Sequence, residues 1–150
     1  MKTITVAAAA LVALCACSSS QKAKIIPPEL QIRELVGPSD MGYPRGVVEV
    51  QYEMRIGNRS GEPITLRRID IQSVGTGAYT LRHEAQNFKR TIDPDHFDTV
   101  TFWVRALARG DRMGGNEPVT VRGVAYFDTP VGPTQKVFLT NIGQFPGQRD

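Results

Sequence analysis

The chain has 150 residues, 41% of them hydrophobic and 22% charged, with 18 basic and 15 acidic side chains and a formal net charge of +3. That length suits one domain. The bases, mostly Arg, are scattered from Arg33 to Arg122 with acids between them, so the like-charge run of about five or more that marks an interaction tail is missing, and with it the footprint of a nucleic-acid binder. The two cysteines, Cys15 and Cys17, both lie near the N-terminus. No disulfide framework can staple the rest, which excludes the small disulfide-rich class. Core burial must hold the fold, and a chain this long can bury roughly two thirds of its unfolded surface.

Lys2 gives a positive start, Val6 to Leu14 is an unbroken apolar run of Ala, Val and Leu, and small residues follow. This is the order of a secretory signal peptide. The apolar stretch from Ile4 to Ala16 falls well short of the ~20 residues a spanning helix needs. Its end, Leu14-Cys15-Ala16-Cys17-Ser18, resembles a bacterial lipoprotein signal, in which a diacylated cysteine becomes the new N-terminus. Cys17, preceded by Ala16 and with Leu14 three residues back, fits that pattern, whereas Cys15 would need Leu14 at a cleavage position that wants a small residue. Residues 1–16 are therefore expected to be a cleaved leader and Cys17 the lipidation site. An ordinary signal cut after Ala16, leaving Cys17 a free thiol, is the alternative. A buried methylene contributes about 0.8 kcal/mol and one acyl chain holds a protein only marginally, but two or three chains give a lasting membrane anchor. Ser18 in place of Asp implies, by the same resemblance, the periplasmic face of the outer membrane rather than the inner membrane.

Residues 17–29 read as a lipidated N-terminus and tether. Ser18 to Glu29 is polar at first and then meets Pro27-Pro28, which favours an extended chain. Such a stretch reaches about 35 Å when fully extended. Alternatively, Ile25 and Ile26 already dock on the domain as an edge segment.

From Leu30 onward the hydrophobic period is two. Leu30 to Val36 predicts a weak first strand. Gly46 to Ile56 predicts a clear one, with Val48, Val50, Tyr52, Met54 and Ile56 on one face and Glu49, Gln51, Glu53 and Arg55 on the other. Ile64 to Val74 carries a parity break, because Ile64 and Leu66 are even while Ile69 and Ile71 are odd, so a β-bulge is expected at Arg67-Arg68. Ala78 to Leu81 and Phe88 to Ile92 predict short strands. Asp98 to Leu107 places Val100, Phe102, Val104 and Ala106 inward, Val119 to Asp128 places Val121, Ala125 and Phe127 inward, and Gln135 to Thr140 closes the series. Half-buried antiparallel strands alternate in this way. Turn residues separate them: Asn58 to Pro63, Gly75-Thr76-Gly77, Asp93-Pro94-Asp95, Gly114-Gly115-Asn116 and Pro130 to Pro133. No helical stripe appears. Seven or eight short strands predict an all-β domain over residues 30–145, an immunoglobulin-like antiparallel β-sandwich, with a small β-barrel as the alternative and residues 146–150 as a tail.

The alternating strand leading into Ile56-Gly57-Asn58-Arg59-Ser60-Gly61-Glu62-Pro63-Ile64-Thr65-Leu66, the Ile92-Asp93-Pro94 turn before a second alternating strand, and Val121-Arg122-Gly123-Val124-Ala125-Tyr126-Phe127-Asp128 resemble the WHy domain. That family is related to the group-two late-embryogenesis-abundant proteins. The resemblance implies a β-sandwich with a protective role in desiccation or stress and no catalytic residues.

Constellations that carry chemistry are thin. His83 and His96 are not at metal-ligand spacing in one element, and no zinc set can be assembled around them. Asp93, Asp95 and Asp98 with His96 form an acidic turn that lacks the Gly and terminal Glu of a calcium loop. No Gly-x-Ser-x-Gly nucleophile context occurs. Arg109-Gly110-Asp111 matches an integrin tripeptide by coincidence. No metal and no cofactor beyond the lipid on Cys17 is expected, nor any disulfide-linked partner. Trp103 stands apart: by parity it faces away from Phe102 and Val104, beside Arg105, and Val124 and Tyr126 take the outward face of their own strand. If the two strands pair, Trp103, Arg105, Val124 and Tyr126 form one exposed apolar-aromatic patch of the kind that marks a partner surface; the alternative is a strand covered on both faces, or a loop folded over Trp103.

Three functional classes follow. The expected one is a non-catalytic interaction or scaffold lipoprotein presenting its sandwich to an envelope protein. A stress-protective protein is the alternative, and a small-ligand binder or enzyme has the least support. The anchor is directly testable. Cys17→Ser should abolish acylation and membrane fractionation while Cys15→Ser leaves both intact, and labelled palmitate on the Cys17→Ser protein would overturn the assignment.

Overall fold

A computed structural model of the chain describes residues 25–42, 44–110 and 117–143; Cys17 and the leader lie outside them. Eight strands run in the order β1 (Glu29–Val36), β2 (Arg45–Gly57), β3 (Ile64–Val74), β4 (Tyr79–Leu81), β5 (Glu84–Ile92), β6 (Phe97–Arg109), β7 (Val119–Thr129) and β8 (Gly132–Ile142). They form two four-stranded antiparallel sheets, β1-β2-β6-β4 and β5-β3-β7-β8. This is a β-sandwich, with no helix among the described residues.

The first sheet is built on β2 and β6, which pair in unbroken register from Arg45 opposite Arg109 to Gly57 opposite Phe97. Their alternation turns one row from each strand inward: Val48, Val50, Tyr52, Met54 and Ile56 from β2, and Val100, Phe102, Val104, Ala106 and Ala108 from β6, all buried. The second sheet answers with Ile64, Leu66, Ile69 and Ile71 from β3 and Val119, Val121, Ala125 and Phe127 from β7. The β3 register shifts between Leu66 and Arg68 against both neighbours, so Arg67 is the extra residue and the even and odd apolar pairs reach the same core. β7 and β8 form a hairpin through Pro130-Val131. Proline fixes φ near −65° and so rules out the mirror-image hairpin turns. The reversal is taken up instead by Gly132 at φ +124 and by Thr129, whose hydroxyl accepts from Val131 N at 3.3 Å and donates to Gly132 O at 2.7 Å. Gly123, on the inward row of β7, lets the Phe138 ring lie across it, where a Cβ would collide with that ring and with the Asp70 carbonyl.

The two long edges of the sandwich differ. On one side β5 approaches β6, where Gln86 Nε2 donates to the Trp103 carbonyl at 3.1 Å and Arg90 Nε lies 2.7 Å from Asp98 Oδ2. The other side, between β1 and β8, is open.

One end of the sandwich is held by Asn58, which is fully buried. The two N–H groups of its Nδ2 are shared among Glu62 O at 2.8 Å, Ile92 O at 3.0 Å and Asp93 O at 3.2 Å, its Oδ1 accepts from Ser60 N at 2.9 Å, and its backbone N donates to His96 O at 2.9 Å. The crossover from β2 to β3 and the crossover from β5 to β6 are thereby tied together. Ser60, also buried, exchanges two hydrogen bonds with the Ile26 backbone, at 3.0 and 3.1 Å, and Pro28 is buried beside β1. From Ile26 onward the chain is therefore an edge segment of the domain rather than a free tether.

Asn58→Ala should cost about 3 kcal/mol, because it leaves several buried backbone groups without partners. Asn58→Asp should not rescue it, since a carboxylate cannot donate to three carbonyls. Urea midpoints at constant slope check this, and a loss below about 1 kcal/mol would show that water replaces the side chain.

Candidate interaction surface

Trp103 lies on the outward row of β6 and is 46% exposed. Val124 and Tyr126 lie on β7 and are half-buried. The single patch expected from parity does not form. β6 pairs with β2 and β4, and β7 pairs with β3 and β8, so the two rows belong to different sheets and face away from each other across the sandwich.

What surrounds Trp103 is set by the β2–β6 register. Trp103 stands opposite Gln51, Arg105 opposite Glu49, and Leu107 opposite Val47. Val47 is 75% exposed and Leu107 55%, and Leu35, in the irregularity of β1 at the level of Gln51, is exposed as well. A ladder of apolar and paired charged positions thus covers the outer face of the first sheet. Arg33 and Glu53 add an ion pair at 2.6 Å on its β1 side. Val47 and Leu107 are the residues sequence reasoning missed. Their signal was present, since each is an apolar residue in an otherwise polar outward row.

On the opposite outer face Tyr126 sits between Arg68 and Gln135, with the Arg68 guanidinium 5.8 Å from its ring centre. Arg68 also grips Asp70 through both carboxylate oxygens, and His83 Nε2 lies 3.7 Å from Asp70 Oδ2. Val124 stands between Asp70 and Val137.

The acidic turn is closed by its own chain. His96 N donates to Asp93 O at 3.2 Å, His96 Nδ1 contacts Pro94 O at 2.7 Å, and Asp95 adopts φ +56. Asp98 faces Arg90 and accepts from Thr99 N at 2.8 Å, and the arginine holds its carboxyl below the usual range. His83 lies beyond β4 and His96 before β6, in loops at opposite ends of the fold. Among the described residues, no group of three or more His, Cys, Asp and Glu side chains could hold a metal. Asp111 of the tripeptide, and Cys17, lie outside the described residues.

Sequence reasoning also missed a buried polar triad. Glu34 points inward from β1, accepts from the Tyr79 hydroxyl of β4, and the Tyr79 and Tyr52 hydroxyls lie 2.6 Å apart. Small inward residues on β6, Ala106 and Ala108, leave room for the Tyr79 ring. Burial raises the Glu34 carboxyl above its usual value, the Tyr79 hydrogen bond opposes this, and Asp40 in the β1–β2 loop reinforces it. Burial likewise pushes both tyrosine hydroxyls up. The triad is a set of protonated donors around one carboxyl with no cation, which fits packing better than nucleophilic chemistry.

No protein-family model and no curated protein matches the sequence. Solved structures do. The X-ray structure of a Northeast Structural Genomics Consortium target is similar with a TM-score of 0.54 at 15% identity, over 81% of this chain and 87% of that one. A crystal structure of a protein from Archaeoglobus fulgidus is similar with a TM-score of 0.51 at 15% identity, over 75% of this chain and 91% of that one. At these identities the likeness is one of fold.

Glu34 makes stability depend on pH. Its folded value lies above the unfolded one, so its favourable contribution is complete below the ordinary carboxylate range and is lost as pH rises through the raised value. Glu34→Gln keeps an acceptor for Tyr79 without the charge. It should therefore raise the melting temperature at neutral pH and change it little near pH 4. A gap of the same size at both values, in either direction, would contradict this.

Proposed function

We propose that this protein is a membrane-anchored, periplasm-facing lipoprotein whose non-catalytic β-sandwich serves as an interaction module in the cell envelope. The observation that carries the reading is the uncovered ladder of Trp103, Val47 and Leu107 on the outer face of the first sheet. Exposed apolar positions grouped on one face, with an aromatic among them and charges paired around it, suit a protein partner. The anchor rests on the Leu14-Cys15-Ala16-Cys17 sequence. The direction of the ladder relative to the start of β1 supports the reading. Ile26 and the start of β1 lie at the Asn58 end, while Val47 and Leu107 lie near the far ends of β2 and β6, so the ladder extends away from the chain that would lead to the lipid. The outer-membrane periplasmic face is the proposed location.

A second reading is a WHy-like protective role. Support for it comes from the buried Asn58 turn between two strands and from Gly123 in the late strand, the positions on which the resemblance rests. The two readings differ in outcome. A scaffold recovers a discrete stoichiometric envelope partner, whereas a protector shields unrelated client proteins during drying or freezing without one.

Trp103→Ala should leave the melting transition within about 0.5 kcal/mol of wild type, as surface substitutions usually do. It should nonetheless sharply reduce recovery of the partner from detergent-solubilised envelope, because aromatic anchors dominate interface energies. Undiminished recovery by both Trp103→Ala and Val47→Asp would remove this face from the proposal.

A further inference from the structure

The sandwich has four sheet edges, and an unpaired strand edge is a template for pairing with another chain unless the protein blunts it. Three are blunted. β4 is three residues long. β5 carries Glu84, Lys89 and Arg90, and is joined to β6 through Gln86 and Arg90. β1 carries Glu29, Arg33 and Glu34 and breaks register between Glu34 and Val36. β8 is different. It runs eleven residues from Gly132 to Ile142, pairs without a break to β7, and is blunted least, by Pro133 at its start and by one charge, Lys136, in its inward row. Its outward row includes Val137 at 51% exposure and Leu139 at 65%, with Val124 of β7 directly beside Val137. No described strand lies on its other side. Instead a cleft of about 300 Å³ opens there, lined by Leu30, Gln31, Ile32, Phe138, Leu139 and Thr140.

We propose that β8 is a self-association edge, pairing antiparallel with β8 of a second copy about a two-fold axis at Phe138, so that two second sheets join into one eight-stranded sheet. Side chains must stay on their own faces, which requires a residue to oppose one of the same parity. Among such registers, centring on Lys136 would set the two lysines directly opposite each other, an unfavourable like-charge pair. Centring on Phe138 sets Val137 opposite Leu139 of the second copy and Leu139 opposite its Val137, so both exposed apolar residues gain apolar cross-strand neighbours. Lys136 then meets Thr140. The strand thus matches itself in its apolar row while keeping the two lysines apart, which selects a second copy over an unrelated strand. The added strand's inward row, Lys136, Phe138 and Thr140, comes over Leu30 and Ile32 and closes the cleft.

The test is the mass of the protein recovered from membranes, in density-matched detergent, by sedimentation equilibrium across the micromolar range. Wild type should reach twice the mass that mass spectrometry gives for one processed chain. The double substitution Val137→Lys with Leu139→Lys places like charges opposite each other twice and should weaken association on the order of tenfold or more. Trp103→Ala should leave the dimer intact, which separates this edge from the outer face of the first sheet. The register is read independently: co-expressed Val137→Cys and Leu139→Cys chains should cross-link with each other, above the background that the unsubstituted protein gives on a non-reducing gel. This arm also decides the matter should the lysine variant fail to fold. A monomeric wild type overturns the proposal even if a different protein binds β8, and so does a dimer that survives the lysine substitutions and gives no cross-link.

Discussion

Everything in this fold depends on how the chain crosses from one sheet to the other, and at one end both crossings are fixed by the side-chain amide of Asn58. A sandwich with no cysteine in its described residues has no covalent tie between its layers. The amide replaces that tie with hydrogen bonds to Glu62, Ile92 and Asp93 and one from Ser60, made by a side chain that is itself fully buried. A buried amide that satisfies both its donors and its acceptor is stabilising where a partly satisfied one would be costly. The same knot reaches the N-terminal segment through Ser60 and Ile26, so the entry of the chain into β1 is set by the element that sets the crossovers.

The core accepts one expensive group at the other end. Glu34 is turned inward by the alternation of β1 and is compensated by hydroxyls rather than by a cation. Among the described residues every buried side-chain nitrogen and oxygen has a hydrogen-bond partner, so the triad is satisfied as a network although its carboxyl is displaced from its ordinary range. The packing of Tyr52 and Tyr79 and the charge of Glu34 are thereby coupled, and the charge state of one side chain bears on the β1–β2 end of the sandwich.

Outside the core, the two long sides and the two outer faces are treated differently. One side is joined by Gln86 and by the Arg90–Asp98 pair, while the other leaves a cleft. One outer face carries Trp103, Val47 and Leu107 exposed, while the other carries Val137 and Leu139 exposed at its β8 edge and the ring of Tyr126 beside Arg68. The proposed partner surface and the proposed self-pairing edge lie on different sheets, so occupation of one leaves the other accessible.

Much of this was legible in the sequence. Period-two alternation assigned the inward rows of β2, β6 and β7, and the parity break at Arg67-Arg68 located the bulge in β3, because the side-chain period of a strand is a local property of the backbone. A leader over residues 1–16 and lipidation at Cys17 are expectations from the sequence and lie outside the described residues. What sequence could not decide was which strands lie side by side. Outward placement of Trp103, Val124 and Tyr126 follows from parity, but their separation onto opposite faces depends on β6 pairing with β2 and β7 with β3, partners brought from far along the chain. The inward turn of Glu34 toward two tyrosines and the lightly blunted edge at β8 have the same origin. Alternation tells a residue which side of its strand it occupies; only long-range pairing tells it what it will find there.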